Sequence, residues 1–157
     1  SVRFNVSNET MEEQRVTVKW QVRNAKGESL RTEEQNIVVP GLSAFWMDEV
    51  ELPDLKEREE YVSYELWKNG EWLSEGTVIF TLPKYFCYED PHLTCRLEGD
   101  EIVVTADAYA KSVEILNEAE DLILTDNYFD MNGGQKRVKI LEGEPVGLKV
   151  RSVYDIR

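Results

Sequence analysis

Cys87, His92 and Cys95 have the strongest claim to chemistry in this sequence, spaced as C-x4-H-x2-C. Thiolates and imidazoles are zinc ligands, but a structural zinc site takes four of them and no fourth is in view. Free thiols are therefore favoured, with a local disulfide second and zinc last. His92 is the sole histidine and follows Pro91 at the start of a strand-like run. Nucleophilic catalysis needs an imidazole oriented by a third group, so a turn or solvent-facing role is the better expectation for His92. Carboxylates number 31, so some pairs must approach by chance. Acid catalysis by a carboxylate requires an apolar setting that raises its pKa. Only Glu65, between Tyr64 and Leu66, comes near that, and strand alternation puts it on the polar face. No glycine-rich loop is long enough to cradle a phosphate, Gly133-Gly134 included. Catalytic residues, cofactors and resident metals are all expected to be absent.

Two further groups of side chains offer binding chemistry. Asp126, Asn127, Asp130 and Asn132 are four oxygen donors within LTDNYFDMNGG. Their spacing lacks the glycine and distant bidentate Glu of a calcium loop. Asp and Asn also bond their own backbone and make turns, which explains the same residues without a cation. Trp67 and Trp72 flank Asn69-Gly70, so a hairpin would set them face to face. On an outer face they would form an apolar platform. Such a platform staples the hairpin, docks another domain or stacks on a sugar, and all three readings stay open. Asn5-Val6-Ser7 and Asn8-Glu9-Thr10 match the glycosylation sequon, a pattern that arises often by chance.

The elements that must position these groups are strands. Arg15 to Val22 alternates, with Val16, Val18, Trp20 and Val22 on one face. Further strands are predicted over 3–6, 35–39, 45–52, 61–67 and 72–80. In the last pair Val62, Tyr64 and Leu66 face the core, leaving Tyr61, Ser63, Glu65 and Trp67 outside. If Asn69 and Gly70 are the loop, Lys68 faces Glu71, Trp67 faces Trp72 and Leu66 faces Leu73. A connector at 83–86 leads to a second set over 93–97, 101–108, 110–116, 122–125, 135–140 and 145–153. Asp126-Asn127 and Asn132-Gly133-Gly134 read as two turns of one sandwich corner. Strand and turn alternate every 8–12 residues or so, as in immunoglobulin-like folds. The expected architecture is all-β, two tandem immunoglobulin-like antiparallel β-sandwiches over residues 1–84 and 85–157. Tyr85, Phe86 and Tyr88 are bulky, so the junction is expected to be packed.

Composition narrows the partners. The chain has 157 residues, too few for a (β/α)8 barrel of about 250. Net charge is −13, with no basic cluster to neutralise phosphates, which argues against nucleic acid. Residues 1–84 hold 10 basic and 16 acidic side chains, and the remainder 8 and 15, so the acidity is shared. No apolar run approaches the ~20 residues of a membrane helix. Ser1 reads as a cloning remnant and the chain as an excised, soluble piece of something longer, whose compartment the residues do not give.

Leu124-Thr125-Asp126-Asn127-Tyr128-Phe129-Asp130, with Arg137-Val138 opening the next strand, resembles the C-terminal immunoglobulin-like domain of β-mannosidases in glycoside hydrolase family 2. Met131-Asn132-Gly133-Gly134 departs from that family's usual continuation. Trp20-Gln21-Val22-Arg23 with Gly27, Ile37 to Pro40, and Phe80 to Lys84 are similar to the sandwich that precedes it there. The resemblance implies a parent that hydrolyses terminal β-mannosides with two glutamates on a barrel. No position here corresponds to that barrel. It therefore implies a non-catalytic accessory fragment, with the barrel and other parent domains as partners and mannosides as a lesser one. A carbohydrate-binding module and a cell-surface adhesive sandwich pair remain the alternatives. Asp126 to Asp130 would be structural.

Overall fold

The computed structural model describes residues 1–157. Eleven strands follow one another: β1 (Asn5–Asn8), β2 (Gln14–Asn24), β3 (Ser29–Val39), β4 (Ser43–Trp46), β5 (Glu60–Lys68), β6 (Glu71–Val78), β7 (Thr94–Glu98), β8 (Glu101–Leu116), β9 (Ile123–Leu124), β10 (Phe129–Glu142) and β11 (Lys149–Arg151). A 3-10 turn at Pro83–Tyr85 and a four-residue helix, α1 (Val153–Ile156), complete the list.

In the first unit an antiparallel sheet ordered β3-β2-β5-β6 packs on the pair β1-β4. Alternation along β2 buries Val16, Val18, Trp20 and Val22, which join Phe4, Ile37, Val39, Met47 and Val62 in one core. Phe4 bridges the layers, with its ring centroid 6.2 Å from that of Trp20 and 5.8 Å from that of Tyr64. The β2–β3 turn is built by Asn24, whose Oδ1 accepts from the backbone N–H groups of Lys26 and Glu28 at 3.0 and 3.1 Å. In the β5–β6 hairpin Asn69 and Gly70 both take positive φ, as a two-residue type I′ turn requires.

The second unit is one folded sheet, ordered β11-β8-β10-β9 with β7 also on β8. Two long strands serve both layers: β8 pairs with β7 through Glu101–Thr105 and with β11 through Glu114–Leu116. The β8–β10 ladder breaks between Phe129 and Met131 and between Asn132 and Gly134. Such bulges increase twist and let a strand turn a corner. Ile102, Val104, Ala106, Ala110, Val113, Ile115, Phe129, Met131 and Val138 form the core.

Several sequence expectations change. Strands start or stop elsewhere: the first lies at Asn5–Asn8, the third begins at Ser29, and the fourth ends at Trp46. The two strands expected over 101–108 and 110–116 are one, because the Asp107 and Tyr109 N–H groups donate to Pro91 and Ala25 rather than to a turn. Asn132-Gly133-Gly134 is a bulge inside β10, not a turn between strands. In the hairpin Lys68 faces Glu71 and Trp67 faces Trp72, but Leu66 faces Ser74, since a register shift leaves Leu73 as the extra residue. The face of β5 expected to be outside buries Tyr61 completely and Ser63 almost so. The second unit covers it.

That cover is a third apolar cluster, Tyr61, Phe86, Tyr88 and Tyr109, with Ala25, Ile79, Val153 and Tyr154 packed around it. Tyr61 stacks on Tyr109 with centroids 3.7 Å apart and planes 17° off parallel. Phe86 meets both rings edge-on. Of the three connector aromatics, Phe86 and Tyr88 are buried in this junction while Tyr85 is half exposed.

Candidate functional site

The corner Asp126 to Asp130 lies where the two units meet, and each residue has a separate task. Asn127 acts as a surrogate strand: its Oδ1 accepts from the Ile115 N–H at 3.0 Å and its Nδ2 donates to the Ile115 carbonyl at 3.3 Å. Phe129 is buried in the second core. Asp130 Oδ1 accepts from the Ser112 N–H at 2.8 Å. Its Oδ2 accepts from the Thr77 hydroxyl of β6 and lies 3.5 Å from Lys111 Nζ. The Thr77 hydroxyl is also 2.7 Å from that of Tyr109, and Tyr61 Oη donates to Asn132 Oδ1 at 2.7 Å. Polar groups from both units thus satisfy one another in a largely buried place, where an orphaned group would cost about 1–3 kcal/mol. Burial drives the Tyr61 and Tyr109 hydroxyls well above the usual phenol range and pushes Tyr88 up to about 12.

Backbone fit is equally close. The Tyr109 N–H donates to the Ala25 carbonyl at 3.1 Å. Gly27 has φ +86°, and a Cβ there would stand 2.2 Å from the Asn132 carbonyl oxygen. Only glycine lets the β2–β3 turn approach β10 so nearly.

Beside this junction a cleft of about 370 Å³ opens between β6 and the corner. Trp72, Glu75 and Thr77 line one side, and Asp126, Tyr128 and Lys136 the other. Lys136 Nζ is 2.9 Å from Asp126 Oδ2, 3.8 Å from Glu75 Oε1 and 4.6 Å from the Phe129 ring centroid. Desolvation holds the Glu75 carboxyl above its usual range, with Lys136 working against that rise. Tyr128 stands on backbone of φ +60°, side chain outward, its hydroxyl 3.0 Å from Glu114 Oε1.

The oxygen donors Asp126, Asn127, Asp130 and Asn132 therefore do not converge. The Lys136 ammonium holds the position beside Asp126, and the other three are engaged with Ile115, Ser112, Thr77 and Tyr61. No three His, Cys, Asp or Glu side chains gather as a metal site, and Cys87 and Cys95 are free thiols. His92 sits on positive-φ backbone, largely exposed, with Nδ1 3.3 Å from Asp107 and Nε2 3.5 Å from Asp90. Glu65 accepts from Trp67 Nε1 at 2.7 Å. Of the two sequons, Asn5 is exposed but Asn8 is buried, its Nδ2 donating to the carbonyls of Glu12, Val39 and Pro40.

The tryptophans part company. The Lys19 ammonium lies 4.7 Å from the Trp67 ring centroid, whereas Trp72 is half exposed and lines the cleft. Nothing in the sequence singles out Glu75, Lys136 and Thr77. Their spacing carries no signal, because contacts between the units bring them together.

The family described as "Mannosidase Ig/CBM-like domain" matches residues 1–85, and a second described as "Ig-fold domain" of the Ig_mannosidase type matches residues 88–156. No curated protein matches the chain by sequence. Among solved structures, the β-D-mannosidase of Dictyoglomus thermophilum superposes with a TM-score of 0.69 at 16% identity, over 91% of this chain and 19% of that one. The exo-chitosanase of Amycolatopsis orientalis superposes with a TM-score of 0.64 at 11% identity, over 94% of this chain and 25% of that one. A complex of that enzyme described as an exo-β-D-glucosaminidase gives 0.61 at 12% identity, with the same coverage. These likenesses show the fold, and the chain spans only a fifth to a quarter of those proteins. The chain belongs to the mannosidase-type immunoglobulin-like domain families, with one such domain over residues 1–85 and a second over 88–156.

Proposed function

We propose that this chain is a non-catalytic accessory portion of an exo-acting β-glycosidase, with residues 1–84 and 85–157 as its two domains. It packs on the catalytic barrel of the parent and stabilises it. The substrate class we assign to the parent is the terminal non-reducing β-D-mannoside. The carrying observation is that two mannosidase-type immunoglobulin-like domains occupy the chain in tandem and are joined by a buried aromatic junction. A pair joined so tightly presents one rigid surface to a neighbour. The similarity to a β-D-mannosidase supports the mannoside assignment, and the similarity to an exo-chitosanase marks β-glucosaminides as the competitor.

The test is reconstitution. The purified chain should give no turnover of an aryl β-mannoside. Added to the separately expressed barrel-containing portion of its parent, it should raise that portion's melting temperature and restore β-mannosidase activity. Turnover by the chain alone that survives purification, or a barrel portion indifferent to its addition, overturns the accessory reading. Restored activity on β-glucosaminides alone overturns only the substrate assignment.

A further inference from the structure

The cleft between β6 and the Asp126–Asp130 corner contains more than the junction needs. Of its lining, Thr77, Asp130 and Asn132 are already satisfied, by one another or by Tyr109 and Tyr61 of the junction. Trp72 and Tyr128 add nothing to that network, yet both line the opening, 48% and 65% exposed. Tyr128 takes positive φ at the corner, where its N–H donates to Asn127 Oδ1 and its hydroxyl to Glu114, and its side chain stays exposed at the rim. The volume, about 370 Å³, falls within the range of small-molecule sites.

The lining selects the ligand class. Glu75, Asp126 and Asp130 repel an anion. A metal ion is displaced by Lys136, whose ammonium sits between Asp126 and Glu75. Each of those two carboxylates keeps a second oxygen as an acceptor. Two aromatic faces, which are electron-rich and attract polarised C–H groups, together with carboxylate acceptors and a Lys donor suit a neutral polyhydroxylated ring. We infer that this cleft is a binding site for a neutral hexose oligosaccharide, held by stacking on Trp72 and Tyr128 and by hydroxyl hydrogen bonds to Asp126, Glu75 and Lys136. It goes beyond the accessory reading and does not depend on the barrel.

Titrating β-1,4-mannotriose and cellotriose into the isotope-labelled intact chain, with two-dimensional NMR as readout, tests it. A ligand of this size on an open cleft should bind with a dissociation constant on the order of 1 mM, shifting the Trp72 indole and cleft amides. Trp72→Ala and Tyr128→Ala should each weaken binding at least about tenfold, while Trp46→Ala, on the exposed face of β4, leaves it unchanged. Asp126→Asn preserves shape and should weaken binding about threefold or more, which keeps the test valid should an aromatic variant unfold. No cleft shifts at 20-fold the expected constant, or binding that ignores all three cleft substitutions, overturns the proposal. Tighter binding of a glucosamine trimer than of either neutral sugar overturns the neutral assignment. Failure here leaves the reconstitution result untouched.

Discussion

Tyr109 is the side chain on which the two units lean most, and its removal has calculable consequences. It is fully buried, stacks on Tyr61 at 3.7 Å, meets Phe86 edge-on at 5.7 Å and places its hydroxyl 2.7 Å from that of Thr77. Tyr109→Phe removes one hydrogen bond, but Thr77 keeps Asp130 as acceptor. The loss should be about 0.5–1.5 kcal/mol. Tyr109→Ala removes the ring as well, and large-to-small changes of a buried aromatic cost about 3–5 kcal/mol. For a chain of this length each kcal/mol moves the melting midpoint by about 2–4 °C, so Tyr109→Ala should lower it by roughly 10 °C.

The shape of the transition carries the sharper information. With the junction intact the chain should unfold in one calorimetric transition. With Tyr109→Ala the two units, each with its own core, should separate into two, and the urea m-value fitted as a single step should fall. Calorimetry and urea titration followed by tryptophan fluorescence read both effects. A loss under about 2 kcal/mol for Tyr109→Ala, or two well-separated transitions already present in the unsubstituted protein, would refute the claim that this junction couples the units.

Gly27→Ala introduces both positive-φ strain and a Cβ against the Asn132 carbonyl, so about 2–4 kcal/mol should be lost in urea denaturation. An unchanged midpoint would mean that the turn stands off β10. The Glu75 carboxyl has its folded-state pKa raised by burial, so its contribution favours the folded state at low pH and becomes a penalty above the raised value. Glu75→Gln should accordingly stabilise the fold near pH 7 by under about 1 kcal/mol given its partial exposure, read as a higher melting temperature. The advantage should vanish below the ordinary Glu range near about pH 4, and a gain that grows on acidification contradicts the sign. Tyr61 and Tyr109 have pKa values raised by burial, so stability should fall as pH climbs past the unfolded phenol value of about 10. Tyr61→Phe should flatten that alkaline fall, as measured by urea titration at pH 9–11. Asn8→Asp sets a carboxylate against the three carbonyls that now accept from Nδ2, and should cost about 2–4 kcal/mol near pH 7 in the same assay.

Much of the architecture is legible in the residues alone. The period-2 run Arg15 to Val22 sorts its own faces, because successive side chains of a strand point opposite ways whatever surrounds them. Asn69-Gly70 sets its hairpin because both residues tolerate positive φ. Asp126 and Asn127 favour a turn by bonding their own backbone, and it is the resemblance of the Asp126–Asp130 corner to mannosidase-type domains that marks the domain type. These are local properties, settled within a few residues of chain. What covers a face is not local. Tyr61 and Ser63 alternate correctly onto the outer side of β5, and only the second unit, joined through Phe86 and Tyr88, makes that side an interior. The same long-range contact turns Asp130 from a turn former into a tie between units. It also draws Trp72, Glu75, Asp126, Tyr128 and Lys136 around one cleft, although they are scattered over more than 60 positions of chain. Alternation tells a side chain which way to point; only packing over distance determines whether it meets water, a core or a ligand.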